Sequence, residues 1–107
     1  MRFALEFRHK SWCDKEVYNL LKKYNVAWVI ADSPSYPKAE IITANFVYIR
    51  MHGPQILFAS KYTEKELKAL SQKIKKWLKR GDIYCYFNND AYIYAIENAK
   101  ELSKLCQ

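Results

Sequence analysis

FVYIRMHG, residues 46–53, alternates in a way that decides the fold. Val47, Ile49 and Met51 fall on one side of an extended chain and Tyr48, Arg50 and His52 on the other, because successive side chains of a strand point to opposite faces. A parallel sheet covered on both faces reads as nearly continuous apolar sequence, so charges at a strand's carboxyl end need a reason, and the usual reason is a site. The same ending recurs along the chain. FALEFRHKSW (3–12) carries Glu6 and Arg8, WVIAD (28–32) ends on Asp32, and YCYFNND (84–90) holds Asn88.

Between these runs the period changes from two to that of a helix. Residues 2–8 read as a strand, and Ser11 or Asp14 then offers an N-cap for a helix over 14–24 with Val17, Leu20, Leu21 and Tyr24 as its apolar stripe. Val26 to Asp32 is a second strand. SPSYPKAE (33–40) breaks regular structure, so no helix is expected before the strand at 46–52. After His52-Gly53-Pro54 a loop runs to Tyr62, where Thr63 and Glu66 make a capping box for a helix carrying Leu67, Leu70, Ile74, Trp77 and Leu78. Gly81 supplies its stop. Residues 82–88 form the fourth strand, and FNND leads into a last helix over about 91–105 whose inner side is Ala95, Ala99, Leu102 and Leu105. Four strands alternating with three helices predict an α/β fold with a parallel sheet and right-handed crossovers. A length of 107 residues supports one domain, 1–107.

Composition narrows the function classes. Half of the residues are apolar, which fits a globular protein and argues against disorder. The longest apolar stretch, Val26 to Ala31, is too short to span a bilayer, and Met1-Arg2 opens no signal-peptide hydrophobic region, so a cytoplasmic protein with no membrane partner is expected. Cys13, Cys85 and Cys106 are odd in number and lack any CxxC spacing, which indicates neither a disulfide framework nor a zinc knuckle. The net charge of +7 raises nucleic acid as a partner. Much of it sits on one helix, at Lys65, Lys68, Lys73, Lys75, Lys76, Lys79 and Arg80, opposite that helix's apolar positions. A run of this kind is ordinarily a solvated face, and a basic nucleic-acid-binding module stands as an alternative function.

Two architectures fit the alternation, a small doubly wound sheet and a segment of a (β/α) barrel. A dinucleotide-binding sheet wants a glycine-rich turn after its first strand; here the turn is RHKSWC (8–13), and the chain has only two glycines. Strand phase favours the barrel. One face is aliphatic, while Trp28, Asp32, Tyr48, Arg50, Tyr86 and Asn88 are expected on an aromatic and polar face like a barrel lumen with a binding site at its mouth.

EFRHKSW (6–12), VIADSP (29–34), FVYIRMHG (46–53) and YCYFNNDAYIYAIENA (84–99), in this order and spacing, resemble the carboxyl-terminal part of the YecE-like family, a domain of unknown function. The resemblance covers nearly all of the chain. It implies the last four βα units of a TIM barrel, because members of that family are usually more than twice this length. Glu6, Arg8, Trp12, Asp32, Arg50, His52, Gly53, Asn88, Asn89 and Asp90 match its motif positions, whereas Lys10 stands where the family favours proline and Ile93 where it favours glycine.

For the site, Glu6, Asp32 and His52 are the expected catalytic set at the strand ends, with Arg8, Trp12, Arg50, Asn88 and Asn89 as ligand-binding residues. Arginine forks suit carboxylate or phosphate, so a small anionic or phosphorylated ligand is expected, with hydrolytic or isomerising chemistry left unassigned. A Glu/Asp/His set could also ligate a divalent metal. Against this stands a purely structural reading, in which the acids and arginines satisfy one another as ion pairs. Half a barrel leaves two strand edges and a lumen face open, which calls for a homodimer or a separate amino-terminal half-barrel partner. A non-catalytic remnant or assembly subunit is the third function class.

Overall fold

Four parallel strands lie side by side in chain order: β1 (Ala4–Leu5), β2 (Ala27–Asp32), β3 (Phe46–Met51) and β4 (Asp82–Phe87). They come from a computed structural model that describes residues 1–54, 57, 61–89 and 93–107. Three helices, α1 (Lys15–Lys23), α2 (Glu64–Trp77) and α3 (Tyr94–Leu105), cover one face of the sheet. Strand β1 is shorter than its sequence suggests, because it pairs on one side only and the chain turns away into a 3-10 turn at Lys10–Trp12.

The helix ends follow from local chemistry. Asp14 accepts from the Glu16 N–H at 2.7 Å to start α1, and Asn25 ends it in the left-handed region at φ 54°, letting the Val26 N–H reach the Leu21 carbonyl at 3.0 Å. The capping box forms as expected, with Thr63 and Glu66 each bonding the other's backbone N–H at the start of α2. Gly81 lies at φ 151°, and an added Cβ would come within 2.1 Å of the Asn45 carbonyl oxygen, so no other residue fits that approach.

The core lies between the sheet and the helices. Trp28, Ile30, Val47, Ile49 and Met51 from the strands meet Leu21, Leu67, Ile74, Trp77 and Leu102 from the helices, all buried. Helix rotation differs from the expected stripes. On α1, Leu21 is buried and Val17 packs against the core, but Leu20 and Tyr24 are 58% and 64% exposed. On α3, Leu102 is buried and Leu105 packs against the core, but Ala99 is exposed and Asn98 is buried in its place. The Asn98 amide explains the rotation: its Oδ1 accepts from the Tyr62 N–H and from Asn89 Nδ2, each at 2.9 Å, and its Nδ2 donates to the Tyr62 carbonyl at 3.1 Å. A buried amide so satisfied anchors a helix as firmly as an apolar side chain.

No helix intervenes between β2 and β3. The connecting segment instead makes a turn on Ser33, whose Oγ accepts from the N–H groups of Ser35 and Tyr36, and returns through Thr43, whose Oγ1 accepts from the Trp28 N–H at 2.8 Å and donates to the Val26 carbonyl at 2.6 Å.

Register corrects the expected phase of β2. Val29 pairs with Tyr48, and Tyr48 with Tyr84, so these share the open face. Trp28 and Asp32 therefore lie on the helix face, where Trp28 stacks on Phe7 at 4.7 Å and meets Tyr18 edge-on at 5.3 Å. AWVIAD is apolar at nearly every position, which leaves no alternation to fix its phase, and a slip of one residue moves every side chain to the other face. Among the described residues no helix is long and apolar enough to cross a membrane.

Candidate functional site

The carboxyl ends of β1, β3 and β4 bring five of the expected residues into one network. Glu6, just past β1, has its carboxylate contacted on both oxygens: Oε1 accepts from Arg8 Nη2 at 3.0 Å and from Arg50 Nη1 at 3.2 Å, and Oε2 lies 2.7 Å from His52 Nε2. Arg50 in turn donates through Nε and Nη2 to Asn88 Oδ1 at 3.0 and 2.8 Å. The backbone holds the ends together, since the His52 N–H donates to the Asp32 carbonyl and the Asn88 N–H to the Met51 carbonyl, each at 2.8 Å.

Burial separates the roles. The His52 side chain is fully buried and that of Glu6 is 9% exposed, whereas those of Arg50 and Arg8 are 29% and 57% exposed. A ligand arriving from solvent meets the arginines first, Glu6 next, and His52 only through Glu6. Burial pushes the Glu6 carboxyl up, but hydrogen bonds from His52 and Arg8 and the charges of His52 and Arg50 outweigh it and hold the group below its ordinary value. With Glu6 ionised, His52 Nε2–H is the donor in their bond.

The other expected residues go elsewhere. The Asp32 carboxylate faces Lys38 at 3.5 Å and lines a separate concavity of about 420 Å³ between the sheet and α2, so it does not join Glu6 and His52. Among the described residues no group of three or more His, Cys, Asp or Glu converges as a metal site would require, and the expected Glu/Asp/His ligand set is not gathered. Trp12 lies against Phe7, ring centroids 5.0 Å apart, on the helix side of β1. Asn89 is fully buried and bonded to Asn98, which makes it part of the α3 anchor. Asp90 falls outside the described residues.

Two tyrosines were not foreseen. Tyr36 lies under the Arg8 guanidinium, 4.7 Å from it, and meets the His52 ring edge-on at 5.2 Å. Its only signal was an aromatic residue between two prolines in a polar loop. Tyr62 holds the turn after β3, its hydroxyl accepting from the Gly53 N–H at 2.9 Å; burial and the neighbouring Asp32 push its phenol well up.

Below the network, the open face of the sheet forms a concavity of about 380 Å³ lined by Glu6, Val29, Tyr48, Arg50, Tyr84 and Tyr86. Tyr48 stacks on Tyr84 and Tyr86 at 6.2 and 5.3 Å. At its floor Arg2 crosses the sheet, donating to Asp82 and to the Tyr84 hydroxyl, each at 2.9 Å, with its guanidinium 5.0 Å from the Phe46 ring.

A parallel four-stranded sheet with helices on one face, an aromatic lumen on the other and charged groups crowning the carboxyl ends is a half-barrel of the (βα) class. Its family is equally definite. The profile described as "Protein of unknown function DUF72" matches residues 1–107, and the chain belongs to that family, which is the YecE-like one. It is similar to the crystal structure of a DUF72 family protein from Thermotoga maritima, with 29% identity and a TM-score of 0.88 over 98% of this chain and 46% of that one. A DUF72 family protein from Enterococcus faecalis shares the fold with 23% identity and a TM-score of 0.90, over 99% of this chain and 47% of that one. The chain therefore spans about half the length of these solved relatives. No protein of curated function matches it.

Proposed function

We propose that the strand-end network binds a small anionic ligand, of the carboxylate or phosphate class, with Glu6 as the proton acceptor beside it. One observation carries this: a single carboxylate is shared by two arginines. Glu6 brings one negative charge and Arg8 and Arg50 two positive ones, a surplus of one positive charge among the three, placed where Arg8 and, in part, Arg50 reach solvent. A self-sufficient structural ion pair would need only one of them. Each guanidinium has five N–H donors in a fork that matches carboxylate or phosphate oxygens.

The chemistry follows from the same sharing. Held low, Glu6 is a weak base while both arginines and His52 contact it. An anion that draws Arg8 or Arg50 away removes part of what holds it low, and its basicity rises when a ligand is present. His52, buried behind, keeps the carboxylate oriented. Proton transfer next to a held anion serves hydrolysis and isomerisation alike, so the reaction class stays at that level. The lysines of α2 lie on the opposite layer from this network, and no second observation favours the nucleic-acid reading.

The test is thermal unfolding in inorganic phosphate against chloride of equal ionic strength, for the natural chain and Arg50→Ala. Binding at one hundred times the dissociation constant stabilises by about 2.7 kcal/mol. A phosphate-dependent rise in Tm that disappears in Arg50→Ala, with circular dichroism unchanged, is the expected result. An equal rise in both proteins, or none in either, refutes the proposal.

A further inference from the structure

The two edges of the sheet are unfinished in complementary ways. On β1, Phe3 and Leu5 are 57% and 49% exposed although Leu5 pairs with Trp28, which is fully buried on the same face under α1. Among the described residues no helix covers them. On the flank of α1, Leu20 and Tyr24 stand out, 58% and 64% exposed. At about 100° per residue from buried Leu21, they lie on one side of the helix and Lys22 on the other; Lys22 shares a concavity with Lys76 and Arg80 at the end of α2. Leu20 and Tyr24 therefore face away from α2, beyond the β1 edge.

The opposite edge is small where this one is bulky. Taking buried Asn98 and Leu102 as the inward direction of α3, Glu97 lies on one flank and pairs with Lys61, which precedes α2. Ala95 and Ala99 lie on the other flank, away from α2 and beyond the β4 edge. Bulky side chains at one end of the molecule and alanines at the other are the two halves of a helix–helix contact.

The surface area is also large for the mass. A closed monomer of 12.8 kDa exposes about 6,300 Å² by the usual scaling, and this chain exposes 6965 Å². The excess, about 700 Å², approaches the roughly 800 Å² that each partner contributes to an interface of standard size.

We propose that the occupant of both edges is a second copy of this chain. A twofold axis along the barrel axis sets β4 of each copy beside β1 of the other, α3 over the other's Phe3 and Leu5, and Leu20 and Tyr24 against the other's Ala95–Ala99 flank. Four strands from each copy make eight, the number whose interior side chains just fill. Both complementary edges are on one chain, so a twofold pair closes without a different subunit. Each network then borders the partner, because Glu6 and Arg8 follow the strand that pairs with β4. The proposal stands independently of the anion reading.

Sedimentation equilibrium of the purified chain tests it, alongside Leu20→Lys and Ala99→Arg, two exposed positions whose replacement should leave the fold intact by far-ultraviolet circular dichroism. The expected result is a mass of twice 12.8 kDa for the natural chain and a shift toward 12.8 kDa for both variants. A folded monomer overturns the proposal. So does a dimer that survives either variant, which would mean contact through one edge only, and so does a chain that dimerises only with a separate half-barrel protein.

Discussion

Replacing Ile93 by glycine should stabilise the chain, and the size of the effect follows from its backbone. Ile93 precedes α3 at φ 61° and ψ 16°, in the left-handed region, where a β-branched residue is a true outlier. That conformation costs an L-residue about 1–2 kcal/mol, with β-branching toward the upper end. Glycine removes the strain but frees the unfolded chain by about 0.4–1 kcal/mol. The isoleucine is 61% exposed, so losing its side chain gives up only a few tenths of a kcal/mol of burial. The balance is about 1 kcal/mol in favour of glycine, or a rise of roughly 4–6 °C in Tm. Urea denaturation followed by far-ultraviolet circular dichroism, at one fixed protein concentration, measures it, with Ile93→Ala as a control that keeps the strained backbone. An unchanged or lower midpoint for Ile93→Gly at the same slope would refute the reasoning.

Three other outcomes follow from the described contacts. Glu6 sits below its ordinary value, so its ionised form is favoured in the native state; the stability it adds is present above the unfolded value of about 4.3 and is lost as pH falls through the native one. Glu6→Gln should accordingly be less stable than the natural chain at pH 7 and flatter between pH 6 and 3, as read from urea midpoints across that range. Asn98→Leu strips partners from the Tyr62 N–H and carbonyl and from Asn89, and should cost about 2–4 kcal/mol in the same assay. Asp32→Asn should leave any phosphate-dependent rise in Tm unchanged, since its carboxylate lies on the helix face of the sheet.

The elements with two-sided signals were legible. The capping box of α2 and the alternation of FVYIRM fixed both an element and its orientation, and Arg50 with His52 emerged at the strand end that periodicity assigned them. Where sequence lacked contrast, phase was lost: nothing in AWVIAD says which side Asp32 takes, and that cost the expected triad its third member. α3 failed for the opposite reason. Its four apolar positions outvoted Asn98, yet the amide carries the backbone of Tyr62, a partner 36 residues away that no helical period can reveal. Ile93 is a third kind of case, a residue at odds with its own backbone. The departure from the family's glycine marked the place, and the positive φ supplies the physical reason.

Arg2 has a bearing on how the chain acquires its shape. Its guanidinium bonds Asp82 and Tyr84, residues 80 and 82 positions further on. The hydrogen-bonding partners of Arg2 thus lie on β4, at the far margin of the sheet from the strand that follows it. Contacts of such long separation form late, after the loop-closure entropy of the intervening chain has been overcome. Arg2 then acts as a latch, curling the finished sheet from one margin to the other. Without residues 82–84, β1 would still pair with β2 and Arg2 would keep the Phe46 ring, but the tie across the open face of the sheet would be gone.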